Sequence, residues 1–91
     1  MYKITYTNRF KKDVKRCQKR GFDLSLLRDA INILANTGKL PPEYKPHPLK
    51  GKYKNRIECH IQPDWLMVWM QNDKDLILLF TETGTHSDLF S

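Results

Sequence analysis

The sequence predicts an α+β domain. An N-terminal strand and a two-helix antiparallel hairpin pack on a mostly antiparallel sheet of four to five strands, and a short helical turn closes the chain. Three observations carry this. Apolar residues recur at helical spacing in two stretches of the first half. Four of the five prolines are gathered in one connecting segment. Beyond it, apolar and polar residues alternate, or run in short apolar blocks separated by turn residues.

Residues 2–6, "YKITY", alternate and read as a strand. Thr7 or Asn8 is placed to cap a helix in which Phe10, Val14 and Cys17 share a face, and Gly21 ends it. The other faces carry Arg9, Lys11, Lys12, Lys15, Arg16, Lys19 and Arg20, a basic surface most simply read as solvated. Asp23 caps a second helix with the stripe Leu24, Leu27, Ala30, Ile31, Leu34, and Gly38 closes it. The segment "KLPPEYKPHPLKGKYK" is a stiff, basic connection. In 56–61, Ile57, Cys59 and Ile61 form the apolar face, while Arg56, Glu58 and His60 line the other. "PD" at 63–64 makes a turn. Blocks 66–70 and 76–81 are apolar on both faces and form a hairpin across "QNDKD". Gly84 breaks the last strand before "THSDLFS".

Ninety-one residues make one domain, spanning 1–91. No apolar run approaches the roughly 20 residues that cross a bilayer, and the basic N-terminus lacks a signal-peptide core. A cytoplasmic protein without membrane contact is expected. Cys17 and Cys59 have no CxxC spacing and read as small core residues. Sixteen Lys and Arg against ten Asp and Glu give a net charge of +6, which favours an anionic partner such as nucleic acid.

The three histidines, His47, His60 and His86, all lie in the second half. Adjacent strands are about 4.8 Å apart, so a meander can gather His60, Asp64 and His86 at one end of the sheet. Lys50, Lys52, Lys54 and Arg56 lie close by in sequence. Cleavage of RNA by its own 2′-hydroxyl needs a base for that proton and an acid for the leaving 5′-oxygen. It also needs cations for the phosphorane. Histidine suits both proton transfers because it titrates near neutrality. One of His60 and Asp64 is expected to act as base, Asp64 otherwise only orienting an imidazole, and His86 as acid, while His47 and the lysines hold the phosphate. Trp65 or Phe90 is placed to stack on a base. Plainer readings exist for each part. A strand histidine is often structural, Trp65 and Trp69 are often core, and Arg56 with Glu58 can be a surface ion pair. Three histidines and an aspartate could also hold zinc, but no HxxxH spacing supports it, so no metal or other cofactor is expected.

"HPLKGKYKNRIECHIQPDWLMVW" followed by "ETGTHSDLF" resembles the YafQ-type branch of the RelE/ParE toxin superfamily. The HPL-x-G-x-W/Y start, the H-x-x-PDW segment and the TGTHS-x-LF ending occur in order and at family spacing. The resemblance implies a RelE-like fold and a type II toxin–antitoxin toxin. Such a toxin enters the ribosomal A site and cuts mRNA there without a metal. It further implies a DinJ-like antitoxin, with operator DNA bound only through the complex of the two. The family's functional positions fall here on His47, His60, Asp64, His86 and Phe90. Trp65 follows the aspartate as in relatives, and Arg56 matches an arginine of wider RelE-type proteins. One residue departs from the pattern. Many relatives place arginine directly before TGTH to support the scissile phosphate, and Glu82 stands there in this chain. The phosphate must then be held by Arg56, Lys50 or Lys52, or activity is weakened or lost. Two rivals follow from the same residues. One is a ParE-like inhibitor of DNA gyrase, which needs no histidine cluster. The other is a plain nucleic-acid-binding module using the basic helix.

Overall fold

The computed structural model describes residues 1–90. The elements in chain order are β1 (Lys3–Tyr6), α1 (Asn8–Lys19), α2 (Leu24–Thr37), β2 (His47–Pro48), β3 (Ile57–Gln62), β4 (Trp65–Asn72), β5 (Ile77–Gly84) and α3 (His86–Phe90). Short 3-10 turns at Pro42–Tyr44 and Gly51–Tyr53 shape the proline-bearing connection. The five strands lie in the order β1-β5-β4-β3-β2, with β1 parallel to β5 and all other pairs antiparallel. Among the described residues no helix is long and apolar enough to cross a membrane.

The helix ends follow from local chemistry. The Thr7 hydroxyl accepts from the Phe10 N–H at 3.0 Å, and the Asp23 carboxylate accepts from the Ser25 N–H at 3.0 Å. Gly38 ends α2 with φ +74, and a Cβ there would lie 2.7 Å from the Tyr2 hydroxyl. The apolar stripes of both helices cover one face of the sheet. Phe10, Cys17, Leu27, Ala30, Ile31 and Leu34 pack on Cys59, Trp65, Met67, Trp69, Leu78 and Phe80. Leu66 and Val68 point the other way and are covered by Leu89 of α3. Both cysteines are free and buried. Burial pushes the Cys59 thiol up to about 12, so it behaves as an apolar filler.

β1 reaches only as far as Phe80 on β5, which leaves residues 81–84 without a strand on that side. The start of α1 takes its place. The Thr7 hydroxyl donates to the Thr81 carbonyl at 2.9 Å, the Thr83 N–H donates to Asp13 at 3.1 Å, and Arg16 donates to the Thr83 carbonyl at 3.2 Å. Asp13, only 3 % exposed, is further held by Arg16 at 3.1 Å and Arg9 at 3.6 Å. The basic face of α1 is therefore not uniformly solvated, since its arginines are used inside the molecule while Lys11, Lys12, Lys15 and Lys19 stay exposed.

The register also holds a bulge. Val68 opposes Glu82 and Trp69 opposes Phe80, so Thr81 is an extra residue in β5. Two features differ from the sequence reading. The connection contributes a two-residue edge strand, because His47 and Pro48 pair with Glu58 and Ile57. β4 and β5 run longer than their apolar blocks, since polar Thr83 and Glu82 are buried as strand residues. The short helical turn expected at the C-terminus forms as α3, as the sequence predicts, while Ser91 lies outside the described residues.

Replacing Asp13 by Ala removes the buried acceptor for the Thr83 N–H and the counter-charge of Arg16. Urea unfolding should show a loss of about 3 kcal/mol, whereas Lys12→Ala on the exposed face should stay within about 0.5 kcal/mol. Equal effects of the two would contradict the role of α1 as the cover of the β5 edge.

Candidate active site

Strand alternation puts Arg56, Glu58 and His60 on the sheet face away from α1 and α2, because their neighbours Ile57 and Cys59 face the helices. His60 sits at the end of β3 beside the 63–64 turn. Its Nδ1 lies 3.2 Å from the Pro63 carbonyl, which can only accept, so Nδ1 carries the proton and Nε2 is left for a ligand. Asp64, on the turn itself, accepts from the His86 backbone N–H at 3.1 Å and faces the His86 Nδ1 at 3.4 Å. The second contact is long and both side chains are exposed. It again leaves Nε2 open. The His60 and His86 rings stand 6.2 Å apart, and Phe90 lies 6.0 Å beyond His86. Residues 26 positions apart in sequence thus form one imidazole pair, with Asp64 fixing the second ring.

From Phe90 the arc continues. The Phe90 ring meets Tyr53 edge-on at 5.4 Å, and the Tyr53 hydroxyl donates to the Leu89 carbonyl. Tyr53 in turn carries the Lys52 ammonium at 5.4 Å and the Arg56 guanidinium at 5.6 Å from its centroid. The Arg56 Nη1 donates to Glu82 at 3.0 Å. Lys50 and Lys54 are exposed at the two ends of the same 3-10 turn. Past Arg56 the face opens into a trough of about 640 Å³ lined in part by Pro48, Met70, Ile77 and Leu79.

His47 stands apart from this pair. It is opposite Glu58 rather than His60 in the β2–β3 ladder, a diagonal of about 7–8 Å. Its Nδ1 faces the Lys45 carbonyl at 3.1 Å and its Nε2 faces the buried Glu58 carboxylate at 3.2 Å. With both nitrogens against acceptors, His47 has a fixed place but no nitrogen free for proton transfer. Glu58 therefore pairs with His47, and Arg56 pairs with Glu82, rather than with each other.

Trp65 is a correction. Its side chain is 1 % exposed, packs on Phe22 at 4.9 Å, and donates from Nε1 to Thr83 at 3.0 Å. It belongs to the helix-side core and offers no face to a base. Phe90, 38 % exposed, is the aromatic that remains available. Sequence reasoning missed Tyr53, although its position is the W/Y of the motif that carried the resemblance. Among the described residues no group of three His, Cys, Asp or Glu side chains is arranged to hold a metal ion.

A family model described as bacterial toxin of type II toxin–antitoxin system, YafQ, matches residues 2–91. The chain belongs to the YafQ family. The mRNA interferase toxin YafQ of Escherichia coli K12 is 42% identical over 88 residues, covering 96% of this chain and 94% of the relative. The crystal structure of YafQ from E. coli BL21(DE3) superposes with a TM-score of 0.92 at 38% identity over the full length of both chains. YafQ in the E. coli DinJ–YafQ complex gives 0.90 at 38% identity, again over both full lengths. The α+β architecture is thus that of YafQ crystal structures.

The family ending is anchored by Asp88. Its carboxylate accepts from the Thr85 N–H at 2.9 Å while the Thr85 hydroxyl accepts from the Asp88 N–H at 3.2 Å, a reciprocal cap for α3. Arg20, which caps the C-terminus of α1, grips the same carboxylate at 2.6 and 3.0 Å. Gly84, at φ +153, lies so close that a Cβ would meet the Asp88 Oδ2 at 2.8 Å and the Arg16 Nη2 at 2.9 Å. The Arg20 hydrogen bond holds the Asp88 carboxyl well below the usual carboxylate range. Its stabilisation is therefore complete above the unfolded value of about 3.9 and is lost as pH falls through the folded value. Asp88→Asn should lower the melting temperature at pH 7 by about 5 °C, and the gap to the unsubstituted protein should close in acid. A pH-independent gap would contradict the charge origin.

Proposed function

We propose that this YafQ-family protein is an endoribonuclease toxin that cuts mRNA in the ribosomal A site. Its neutralising partner is a DinJ-like antitoxin, and operator DNA is bound only through the toxin–antitoxin complex. The observation that carries the reading is the His60–His86 pair, each ring held through Nδ1 with no protein partner at Nε2 among the described residues.

The chemistry follows from that pair. Nε2 of His60 takes the proton of the 2′-hydroxyl, and the 2′-oxygen attacks the adjacent phosphorus. Nε2 of His86, protonated beforehand, gives its proton to the 5′-oxygen as the P–O5′ bond breaks. The products are a 2′,3′-cyclic phosphate and a free 5′-hydroxyl. Asp64 serves here as the group that orients His86, since its carboxylate already holds the backbone and ring of that residue. The base role thereby falls to His60. Arg56, Lys50, Lys52 and Lys54 supply positive charge along the strand's path. Phe90 stacks on a nucleobase splayed from the message. His47, tied to Glu58, braces the edge strand beside the phosphate rather than moving a proton. A gyrase inhibitor would have no use for two imidazoles poised in this way.

Primer extension on a defined message with purified ribosomes tests the assignment. His60→Ala and His86→Ala should each reduce cleavage by about 10²–10⁴-fold, and Asp64→Asn should reduce it less than His86→Ala does. Residual cleavage within about tenfold of the unsubstituted protein in both histidine variants would rule out the scheme.

A further inference from the structure

Glu82 occupies a position where a carboxylate should hinder an RNA-cleaving protein. It is 3 % exposed, yet it belongs to the sheet face that carries the imidazole pair, because it opposes Val68 across the bulge. Its Oε1 accepts from the Arg56 Nη1 at 3.0 Å, and its Oε2 lies 3.5 Å from the Arg9 Nη1 without a hydrogen bond. Arg56 comes from the approach to β3 and Arg9 from the first turn of α1, so one buried carboxylate joins guanidinium groups from opposite sides of β5. The triad carries a net charge of +1.

We propose that Glu82 is a positioning residue that fixes Arg56 as the phosphate-binding cation of the site. Arg56 is held between two surfaces, the Glu82 carboxylate and the Tyr53 ring 5.6 Å away, and Tyr53 is packed edge-on against Phe90 beside His86. A guanidinium has five N–H donors in a rigid fork. One is given to Glu82, and others remain to engage a phosphate in a two-pronged contact. The carboxylate is shielded from the RNA by the cations it holds, and Arg9 offsets its charge. Without Glu82, Arg56 would keep its charge but lose its fixed orientation. The inference rests on the nuclease reading, which it deepens by naming the phosphate contact.

The test is a double-mutant cycle with Glu82→Gln, Arg56→Ala and the combined variant. Two properties are measured. One is kcat and KM for cleavage on mRNA-programmed ribosomes. The other is binding of an RNA oligonucleotide, blocked by 2′-O-methyl at the scissile nucleotide, across a salt series. Glu82→Gln should raise KM about tenfold with a much smaller change in kcat, the size of one charged hydrogen bond. Arg56→Ala should lower the log–log salt slope of binding by about 0.7. In the combined variant Glu82→Gln should add nothing to Arg56→Ala. Glu82→Asp, which keeps the charge but shortens its reach, should show a smaller KM effect and serves also if Glu82→Gln fails to fold. Additive losses, a kcat-only effect, or tighter RNA binding by Glu82→Gln would overturn the proposal. Absence of cleavage by the unsubstituted protein would instead overturn the nuclease reading, and the blocked oligonucleotide would still decide the role of Glu82.

Discussion

Between Val68 and Trp69 the β4–β5 ladder passes over one residue, Thr81, and the face assignments of β5 depend on that extra residue. Leu78 and Phe80 point at the helices, and simple alternation would send Glu82 after them into the apolar core. The bulge shifts the parity, so Thr83 joins the helix side and Glu82 turns to the open face. A charged residue is thereby kept out of the core and placed where two arginines reach it. Thr83 then receives a full set of partners: its N–H goes to Asp13, its carbonyl to Arg16, and its hydroxyl lies between Trp65 and Leu66. The chain leaves this fixed point directly into Gly84, Thr85 and His86. The position of the second imidazole is therefore set by a bulge several residues upstream.

The N-terminal helix has a role beyond covering the core. β1 is too short to pair with all of β5, and the start of α1 satisfies the exposed strand edge with side chains from Thr7, Asp13 and Arg16. Unpaired strand edges are prone to recruit other chains, and a helix laid along the edge prevents this. The same helix grips Asp88 through Arg20 and faces Glu82 through Arg9. Three arginines that look like solvated surface in the sequence are structural cations, while the lysines among them remain free for an anionic partner.

The site is spread over four pieces of chain, and each piece is held by a different kind of force. His60 is placed by strand register and a carbonyl, and His86 by a turn carboxylate and a helix cap. Arg56 is held by an aromatic face and a buried carboxylate, and His47 by an edge strand. Some of these contacts are local, such as His60 with Pro63, His47 with Lys45, Arg56 with Tyr53 and Thr85 with Asp88, while His86 with Asp64, Arg56 with Glu82 and His47 with Glu58 join distant parts of the chain. Such a site is pre-organised only while the sheet, α1 and α3 keep their places, which ties its geometry to the stability of the whole fold.

The order of elements was legible in the chain because it depends on local chemistry: caps at Thr7 and Asp23, breaks at Gly38 and Gly84, and two hydrophobic periods that differ between the halves. The alternation around His60 also showed correctly which residues share its face. The motif spacing pointed to His60, Asp64, His86 and Phe90 without any geometry. Other features had no local signal. Trp65 sits beside the site in sequence, yet its indole is drawn into the core by Thr83 and Phe22. Glu58 alternates as a surface residue and is buried against His47, a residue supplied by a strand too short to register as one. The counter-charges of Glu82 come from two arginines distant in sequence, which reach it only because of the bulge. Periodicity and caps depend on residues within a turn or two of each other, so the sequence alone determined them. The charge partners of the site are brought together by strand register and long-range packing, and only the folded chain could settle which carboxylate meets which cation.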